Sequence, residues 1–556
     1  MPDRLSGLGV SPGAGTGPVR TIAGAVPEPP VGERHEGDAA AETARVLAAL
    51  EEVAADLEKR GDRAGGEARD VLAAQAMMAR DPGLAELAGQ KIADGTSAPR
   101  AVYEAFGVFR DMLAGAGDYV AARVADLDDI RDRTVAVLRG LPMPGVPDSD
   151  EPFVLVARDL APADTALLDP AKVVAFVTEE GGPTSHTAIL ARSMGVPAVV
   201  ACPGCTALAE GTVVLVDGGS GDVRPDPSAE EVARARSAAG ARSAALAATT
   251  GPGATADGHA VPLLANIGGP RDVAAALAHG AEGVGLFRTE FLFLDRTTPP
   301  GEDEQEAAYR AVLQAFPYVV VRALDAGADK PLGFLPATGE EPNPALGERG
   351  LRMLRRHPEV LAGQLAALAR AARGLPVELL VMAPMVADAA EAREFAEACR
   401  AEGVTRAGVM IEIPAAALRA RDLAVEADFF SIGTNDLAQY TFAADRQVGA
   451  LSRLQDPWQP AVLDLVALTA EGAGGKACGV CGEAAGDPAL ACVLAGLGVT
   501  SLSMSPPSLP AVRAALAAHT LDQCRHAATA ARAAHDAATA RGAAREALPA
   551  LAALGL

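Results

Sequence analysis

The sequence is poor in aromatic residues and in positive charge. Aromatic residues make up 3% of the 556 positions, and 48 Lys and Arg stand against 72 Asp and Glu, which gives a net charge of −24 at pH 7. This surplus of negative charge would repel a nucleic-acid backbone, and so few aromatic side chains leave little to stack on bases. The composition therefore argues against a nucleic-acid partner.

Long apolar runs are also missing, because Gly, Pro or charged residues interrupt them before membrane-spanning length. The opening MPDRLSGLGVSPGAG lacks the apolar core of a signal peptide. Seven cysteines, an odd number, do not make a secreted disulfide framework. We expect a cytoplasmic protein. Two C-x-x-C pairs, Cys202/Cys205 and Cys478/Cys481, lie far apart in apolar contexts, and we do not expect them to bind zinc.

The length predicts three or four domains of about 150 residues each. Helical periodicity runs from about Glu42 to Gly140, and after the break GLPMPGVPDSDEP short strands such as FVLVA and VVAFVT alternate with helical pieces. The opening SGLGVSPGAGTGPV indicates strands and turns without a core of their own. We therefore expect it to join the later α/β module, which makes the helices an insertion. A helical stretch near Ser228 to Ala247 is interpreted as a linker.

From His259 onward, short apolar segments alternate with helical patterns over roughly 260 residues. They are VPLLANI, GVGLF, VVVRALD, LLVMAPMV, AGVMIEIP, DFFSIG, ACGVCGE and VTSLSMS. Eight strands alternating with helices predict a (β/α)8 barrel, so the fold class is multidomain α/β with a TIM-type barrel. The alanine-rich stretch after Leu521 is predicted to be a solvated or partly disordered helix.

His186 lies in the stretch GGPTSHTAI, directly before the apolar run AILARSMGVPAVV. The glycines and proline predict a turn, Thr184 or Ser185 can cap the following helix, and His186 falls in its first turn. An imidazole there could attack phosphorus, with free backbone N–H groups to hold the phosphoryl group. The alternative is a histidine of a capping loop that packs on its neighbours.

Polar residues follow most of the predicted barrel strands. They are Arg288 and Glu290, Arg322 and Asp325, Glu412, Asn435 and Asp436, and Cys481 and Glu483. In such barrels the C-terminal strand ends build the active site, so these groups should converge. A cluster of cations would bind more than one anionic group; its members are Arg288, Arg322, Arg446 and Lys330. Glu412 and Asp436 would bind a Mg²⁺ ion that bridges to phosphate oxygens. The alternative is a set of Arg–carboxylate salt bridges that closes the barrel top.

Several long stretches, in order, resemble enzyme I of the phosphoenolpyruvate-dependent sugar phosphotransferase system. They are GGPTSHTAILARS, GVGLFRTEFLFLDR, ALDAGADKPL, EPNPALGERGLR, VMIEIPAA, DFFSIGTNDLAQYTFAADR and CGEAAGD. The helical insert is similar to the docking domain of that family. The resemblance covers nearly the whole chain and implies transfer of phosphate from phosphoenolpyruvate to a histidine of this chain and then to a histidine of the carrier HPr.

The resemblance also implies individual roles. His186 would be phosphorylated, Thr165 would orient its ring, and Cys481 would protonate the enolate to give pyruvate. The implied phosphoenolpyruvate ligands are Arg288, Arg322, Lys330, Arg349, Asn435 and Arg446, and Glu412 and Asp436 would be the Mg²⁺ ligands. A homodimer through the barrel is implied as well.

The expected domains are a discontinuous phosphohistidine α/β domain (1–21 and 145–226), a helical HPr-docking domain (22–144), a linker (227–250), a phosphoenolpyruvate-binding barrel (251–520) and an alanine-rich tail (521–556). Ala328 and Glu348 depart from the family pattern, and Glu348 would put a negative charge near Arg349. Two other functions remain open. One is ATP-coupled interconversion of pyruvate and phosphoenolpyruvate, for which the chain has no room for a nucleotide-binding domain. The other is a regulatory HPr-binding protein with an inert barrel.

Overall fold

A computed structural model describes residues 4–556 apart from short segments. These segments are 12, 23–25, 65–71, 73–74, 115–120, 142, 146–148, 150, 159, 161–167, 169–171, 183–185, 295, 328–331, 336–340, 342 and 446–448. By their contacts the residues form two compact units, one made of Met1–Gly15, Glu180–Pro203 and Leu215–Leu556, the other of Thr16–Glu179 and Gly204–Val214. No helix in the described ranges combines the length and apolar character that membrane crossing requires.

In the second unit, helices lie between two strands that pair in parallel. Strand β3 (Ala14–Thr21) pairs in parallel with β4 (Phe153–Ala157), and β4 pairs in parallel with β5 (Val173–Thr178). The helices between β3 and β4 in the chain are α1 (Ala39–Ala64), α2 (Pro82–Ala93), α3 (Ala98–Ala114) and α4 (Ala121–Arg139). Their apolar faces share one core that includes Leu57, Ile92, Phe106 and Ile130. The helical module is therefore an insertion into an α/β module.

In the first unit, the N-terminal residues form strands with a later part of the chain. Strand β1 (Leu5–Ser6) pairs with β8 (Asp222–Pro225), and β2 (Leu8–Ser11) pairs with β6 (Ala198–Val200), both antiparallel. Helix α5 (His186–Met194) precedes β6, and β7 (Val213–Asp217) precedes β8. Helix α6 (Ala229–Ala248) begins with a capping box in which Ser228 and Glu231 satisfy each other's backbone N–H groups. The predicted helix near Ser228 to Ala247 is confirmed.

The eight predicted barrel segments form eight parallel strands in a closed barrel. The strands are β9 (Leu263–Ile267), β10 (Val284–Arg288), β11 (Tyr318–Arg322), β12 (Glu378–Ala383), β13 (Ala407–Ile411), β14 (Phe429–Ile432), β15 (Ala477–Val480) and β16 (Ser501–Met504). The intervening helices are α7 (Val273–Ala278), α8 (Glu302–Leu313), α9 (Leu351–Arg356), α10 (Pro358–Ala372), α11 (Ala389–Ala401), α12 (Pro414–Leu418), α13 (Ala420–Glu426), α14 (Thr434–Phe442), α15 (Pro460–Gly472), α16 (Pro488–Gly496) and α17 (Leu509–Ala517). The predicted fold class, multidomain α/β with a TIM-type barrel, is confirmed.

The alanine-rich C-terminal stretch packs onto the barrel. It forms α18 (Leu521–Arg532), α19 (Ala537–Ala547) and α20 (Ala550–Ala553). Cys524, Ala527 and Ala531 are fully buried in the same core as the barrel strands. The small side chains let the helices approach closely: a Cβ added at Gly496 would lie 2.2 Å from the carbonyl oxygen of Cys524. The prediction of a solvated tail was wrong, because alanine contributes little to an apolar pattern yet packs well between helices.

Candidate active site

The predicted site residues of the barrel follow the C-terminal ends of its strands. Arg288 ends β10 and Arg322 ends β11, and the two are paired in register. Glu412 comes directly after β13, and Asn435 and Asp436 lie in the first turn of α14, which follows β14. Cys481 comes directly after β15. Because all eight strands are parallel, these positions share one mouth of the barrel.

Two arginines share the carboxylate of Asp325. Nη1 of Arg322 lies 3.1 Å from Oδ2 of Asp325, and Nη2 of Arg349 lies 2.9 Å from the same oxygen. Arg322 also pairs with Glu290 through Nη2, and Nη1 of Arg349 lies 3.4 Å from Oδ1 of Asp436. All five side chains are buried. Salt bridges at the barrel top are therefore present, and they hold guanidinium groups in fixed positions where anionic groups could bind.

Glu412 is buried at the centre of this charge cluster. Its Oε1 accepts a 2.7 Å hydrogen bond from the backbone N–H of Met385, a residue held at a φ of +58°. Burial, together with the negative charges of Asp436 and Asp325, raises the pKa of Glu412 to about 8, against the opposing effect of Arg322. A carboxylate in these surroundings is stabilised by additional positive charge.

The turn after β14 leaves no room for side chains where it meets the segment 481–487, which follows β15 and is called the Cys481 segment. A Cβ added at Gly482 would lie 1.9 Å from Oγ1 of Thr434, the first residue of α14. A Cβ at Gly433 would lie 3.1 Å from Oε2 of Glu412. The two glycines allow the segments that carry Asp436, Glu412 and Cys481 to approach one another.

Cys481 is a buried thiol whose backbone is also fixed. Its Sγ donates to the carbonyl of Ile432 at 3.6 Å, and its own carbonyl accepts a 2.9 Å hydrogen bond from Nδ2 of Asn266. Ser503 in turn donates to Oδ1 of Asn266 at 2.6 Å. Burial raises the pKa of the Cys481 thiol to about 11, with Arg322 and Arg288 acting in the opposite direction. The group is therefore a protonated thiol at neutral pH.

A chain of buried hydrogen bonds fixes the backbone at Arg322. Thr289 donates to the carbonyl of Arg322 at 3.0 Å, and Gln364 donates to Thr289 at 3.0 Å and to Tyr309 at 3.1 Å. Gln364 also accepts the N–H of Leu324 at 3.0 Å. Sequence reasoning missed Gln364, Tyr309 and Met385, because each lies inside an apolar pattern that carries no signal of a polar contact. Asp325 and Glu290 were noted at strand ends but were given no role.

The departure at Glu348 has an ion-pair partner on the helix that follows. The carboxylate of Glu348 lies 2.7 Å from Nη1 of Arg356. The expectation that Glu348 puts a negative charge near Arg349 stays a prediction. Ala328 lies outside the described residues.

The remaining predicted residues are placed only in part. Lys330, Arg446 and Thr165 lie outside the described residues, as do Thr184 and Ser185. Helix α5 begins at His186, as predicted, and it packs against the 3-10 turn Pro506–Ser508, which follows β16 at the barrel mouth. Among the residues that the structure describes, no three His, Cys, Asp or Glu side chains form a group that could hold a metal ion by themselves.

Three family models cover most of the chain. The model described as "PEP-utilising enzyme, PEP-binding domain" matches residues 242–521, that of the "mobile domain" matches 149–221, and that of the "N-terminal" domain matches 6–123. The first model spans the barrel and the second includes His186.

Curated relatives match over nearly their full length. A phosphoenolpyruvate-protein phosphotransferase of Streptomyces coelicolor is 65% identical over 554 residues, which is 99% of this chain and 100% of the relative. Proteins of the same name from Haloferax volcanii and Bacillus subtilis are 43% and 39% identical, and the matches cover 92% and 91% of this chain and 94% and 92% of the relatives.

Proposed function

Because the chain belongs to the family of phosphoenolpyruvate-protein phosphotransferases, enzyme I of the sugar phosphotransferase system, we propose how its own residues carry out the reaction. The chain is an enzyme that transfers the phosphoryl group of phosphoenolpyruvate to protein. In our proposal His186 is the acceptor. Its imidazole nitrogen forms the P–N bond while the P–O bond to the enolate breaks, and Thr165 orients the ring.

The arginines of the barrel mouth bind the two anionic groups of the substrate. In this proposal Arg288, Arg322 and Arg349, with Asn435, bind the phosphate and the carboxylate of phosphoenolpyruvate, and Lys330 and Arg446 complete the set. Two-point binding by guanidinium groups fixes the orientation of a substrate as well as its charge. The carboxylates already paired with Arg322 and Arg349 hold those side chains in place before the substrate arrives.

Glu412 and Asp436 hold Mg²⁺ in this proposal. The donor set is suitable because carboxylate oxygens are hard ligands, and Mg²⁺ is often bound by one or two carboxylates plus substrate phosphate and water. Burial, and after it the negative charges of Asp436 and Asp325, raises the pKa of Glu412, so a bound cation would stabilise its charged form. When bound, Mg²⁺ neutralises charge on the phosphate oxygens.

Cys481 donates the proton that completes the reaction. The enolate left by phosphoryl transfer takes the Sγ proton at carbon, which gives pyruvate and a thiolate, and the thiolate is reprotonated from water. A thiol with a pKa near 11 is fully protonated at pH 7, and a nearby cationic group stabilises the thiolate as it forms.

The second transfer moves the phosphoryl group from His186 to a histidine of HPr. We assign HPr docking to the helical insertion (22–144), phosphohistidine chemistry to 1–21 and 145–226, and substrate binding to 251–520, with 227–250 as linker. Dimerisation through the barrel is part of the same proposal. One observation carries the proposed reaction: a cluster at the barrel mouth joins guanidinium groups to candidate metal ligands. Its members are Arg322, Arg349, Asp325, Asp436 and Glu412.

The test uses the full-length chain with phosphoenolpyruvate labelled in its phosphoryl group, Mg²⁺ and purified HPr. We expect label on His186 as an acid-labile, alkali-stable adduct, followed by transfer to HPr. His186→Ala should lose the label while the protein still binds phosphoenolpyruvate, because the substrate contacts belong to the barrel. Acid-stable label, or label that persists in the alanine variant, would overturn the assignment. Labelled ATP, supplied instead, should give no labelled protein.

A further inference from the structure

The single tryptophan of the chain connects two aspartates that lie far apart in the sequence. Trp458 is fully buried. Its backbone N–H donates to Oδ1 of Asp456 at 3.0 Å, and its indole Nε1 donates to Oδ2 of Asp487 at 2.9 Å. A buried aromatic ring with both polar groups satisfied is a rigid connection between the parts that it contacts.

Asp487 marks the end of a segment with a proposed role. It closes the segment that begins with Cys481, and its Oδ1 caps α16 by accepting the N–H groups of Ala489 and Leu490 at 2.9 and 3.1 Å. Trp458 therefore ties Asp456 to the Cys481 segment.

A residue of the C-terminal helices completes this connection. Nη2 of Arg541, on α19, lies 3.3 and 3.4 Å from the two carboxylate oxygens of Asp456. Its guanidinium carbon is 5.8 Å from the centre of the Trp458 ring, within the range of a cation–π contact. Asp456 is mostly buried, and burial raises its pKa while Arg541 acts in the opposite direction. Without Arg541, the carboxylate that holds Trp458 would lose its positive partner among the described residues.

We propose that Arg541 is a positioning residue for the phosphoenolpyruvate reaction, which acts through Asp456 and Trp458 on the segment that carries Cys481. The inference rests on the proposed role of Cys481. It gives the C-terminal helices a part in catalysis, although none of their residues lies at a strand end of the barrel. A displacement of about 1 Å in a positioned group can lower a rate by about 100-fold, so a contact distant from the reacting atoms can matter.

The chain offers a matched control for the test. Arg532, on α18, also joins the C-terminal helices to the barrel, since its Nε lies 2.6 Å from Oδ1 of Asp464 on α15. The Arg532–Asp464 pair is about half exposed. Arg541→Gln and Arg532→Gln therefore remove comparable charges from the same part of the protein, and only the first should affect the mouth.

Both full-length variants are compared with the parent protein in steady-state turnover of phosphoenolpyruvate with Mg²⁺ and HPr. For Arg541→Gln we expect kcat/KM for phosphoenolpyruvate to fall about 10- to 100-fold, while labelling of His186 from phosphorylated HPr stays unchanged. The emission of Trp458 should shift in this variant alone. Arg541→Lys, which keeps the charge, should recover part of the loss.

A kcat/KM for Arg541→Gln that equals that of Arg532→Gln would overturn the inference, and so would an equal loss in both labelling reactions. A parent protein that takes no label from phosphoenolpyruvate would instead contradict the proposed function. If Arg541→Gln fails to fold by circular dichroism, Asp456→Asn decides. This isosteric change weakens the same contact, and we expect the same selective loss; an unchanged kcat/KM would overturn the inference.

Discussion

Nη2 of Arg349 lies 2.9 Å from Oδ2 of Asp325, and both side chains are 1% exposed. The same oxygen lies 3.1 Å from Nη1 of Arg322, so one carboxylate fixes two guanidinium groups. Removing one partner of a buried ion pair leaves the other charge without compensation, which costs more than the pair contributes. Asp325 is therefore a residue on which both the stability and the substrate site depend.

Asp325→Asn should lower both stability and activity. We expect the free energy of unfolding to fall by about 1–3 kcal/mol, because two buried arginines lose a shared counter-charge but keep Glu290 and Asp436 as partners. The value of kcat/KM for phosphoenolpyruvate should fall about 100-fold as the guanidinium groups lose their fixed positions. Asp303→Asn is the control, since Asp303 is 93% exposed and its pair with Arg370 lies on the surface. Equal effects of the two substitutions would contradict the role given to Asp325.

Glu412→Gln should abolish most of the Mg²⁺-dependent phosphorylation. The amide keeps an oxygen that can accept the N–H of Met385, but it loses the charge that Mg²⁺ requires. We expect phosphorylation by phosphoenolpyruvate to fall by about 10²–10³, as it should for the parent protein after chelation. Binding of Mn²⁺, followed by electron paramagnetic resonance, should weaken in parallel.

The matched control for Glu412→Gln is Glu378→Gln. Glu378 begins β12, at the end of the strand away from the mouth, and its side chain is half exposed. The Glu378→Gln variant should bind Mn²⁺ and turn over phosphoenolpyruvate as the parent protein does. Full activity of Glu412→Gln, or of the chelated parent, would show that the two-carboxylate site is structural.

Alkylation of Cys481 should increase with pH. Burial raises the pKa of this thiol to about 11, so the reactive thiolate is roughly one hundredth of the population at pH 9 and grows about tenfold per pH unit. Iodoacetamide treatment between pH 7 and 9.5, with modified peptides measured by mass spectrometry, tests this directly. Cys478, whose pKa burial raises to about 12, should react more slowly at every pH. Rapid, pH-independent modification of Cys481 would mean a thiolate at neutral pH, which is no proton donor.

Gly482→Ala should disturb the mouth by steric overlap alone. The new Cβ would lie 1.9 Å from Oγ1 of Thr434 and 2.7 Å from its backbone nitrogen, so the Cys481 segment and α14 must separate. We expect a loss of about 1–3 kcal/mol in stability and a larger proportional loss in kcat/KM. Gly363→Ala, within α10, meets nothing within 4 Å and should be neutral or stabilising by up to about 1 kcal/mol. Thermal melts and turnover of both variants decide; parent-like turnover of Gly482→Ala would show that the close approach is not needed.

The sequence by itself determined the barrel and the positions of its polar strand ends. Eight apolar segments had the length and spacing of buried parallel strands, and each lies in the observed barrel. Arg288, Arg322, Glu412, Asp436 and Cys481 could be named because each lies at the end of an apolar segment or within four residues after it. The start of α5 at His186 was predictable for a similar local reason, since glycines and proline precede the helix.

Tertiary structure alone decided the pairings. Asp325 lies between Arg322 and Arg349 because the long connection after β11 folds back on itself, with a bridge between Gly327 and Arg349, and no periodicity encodes which arginine a given carboxylate contacts. The contact of Arg541 with Asp456 spans 85 positions of the chain and depends on a helix that sequence reasoning took to be solvated. Local sequence patterns predict which residues are buried, because burial is periodic along each helix and strand. The partner of a buried charge depends on how whole helices, strands and loops pack together, which no local pattern contains.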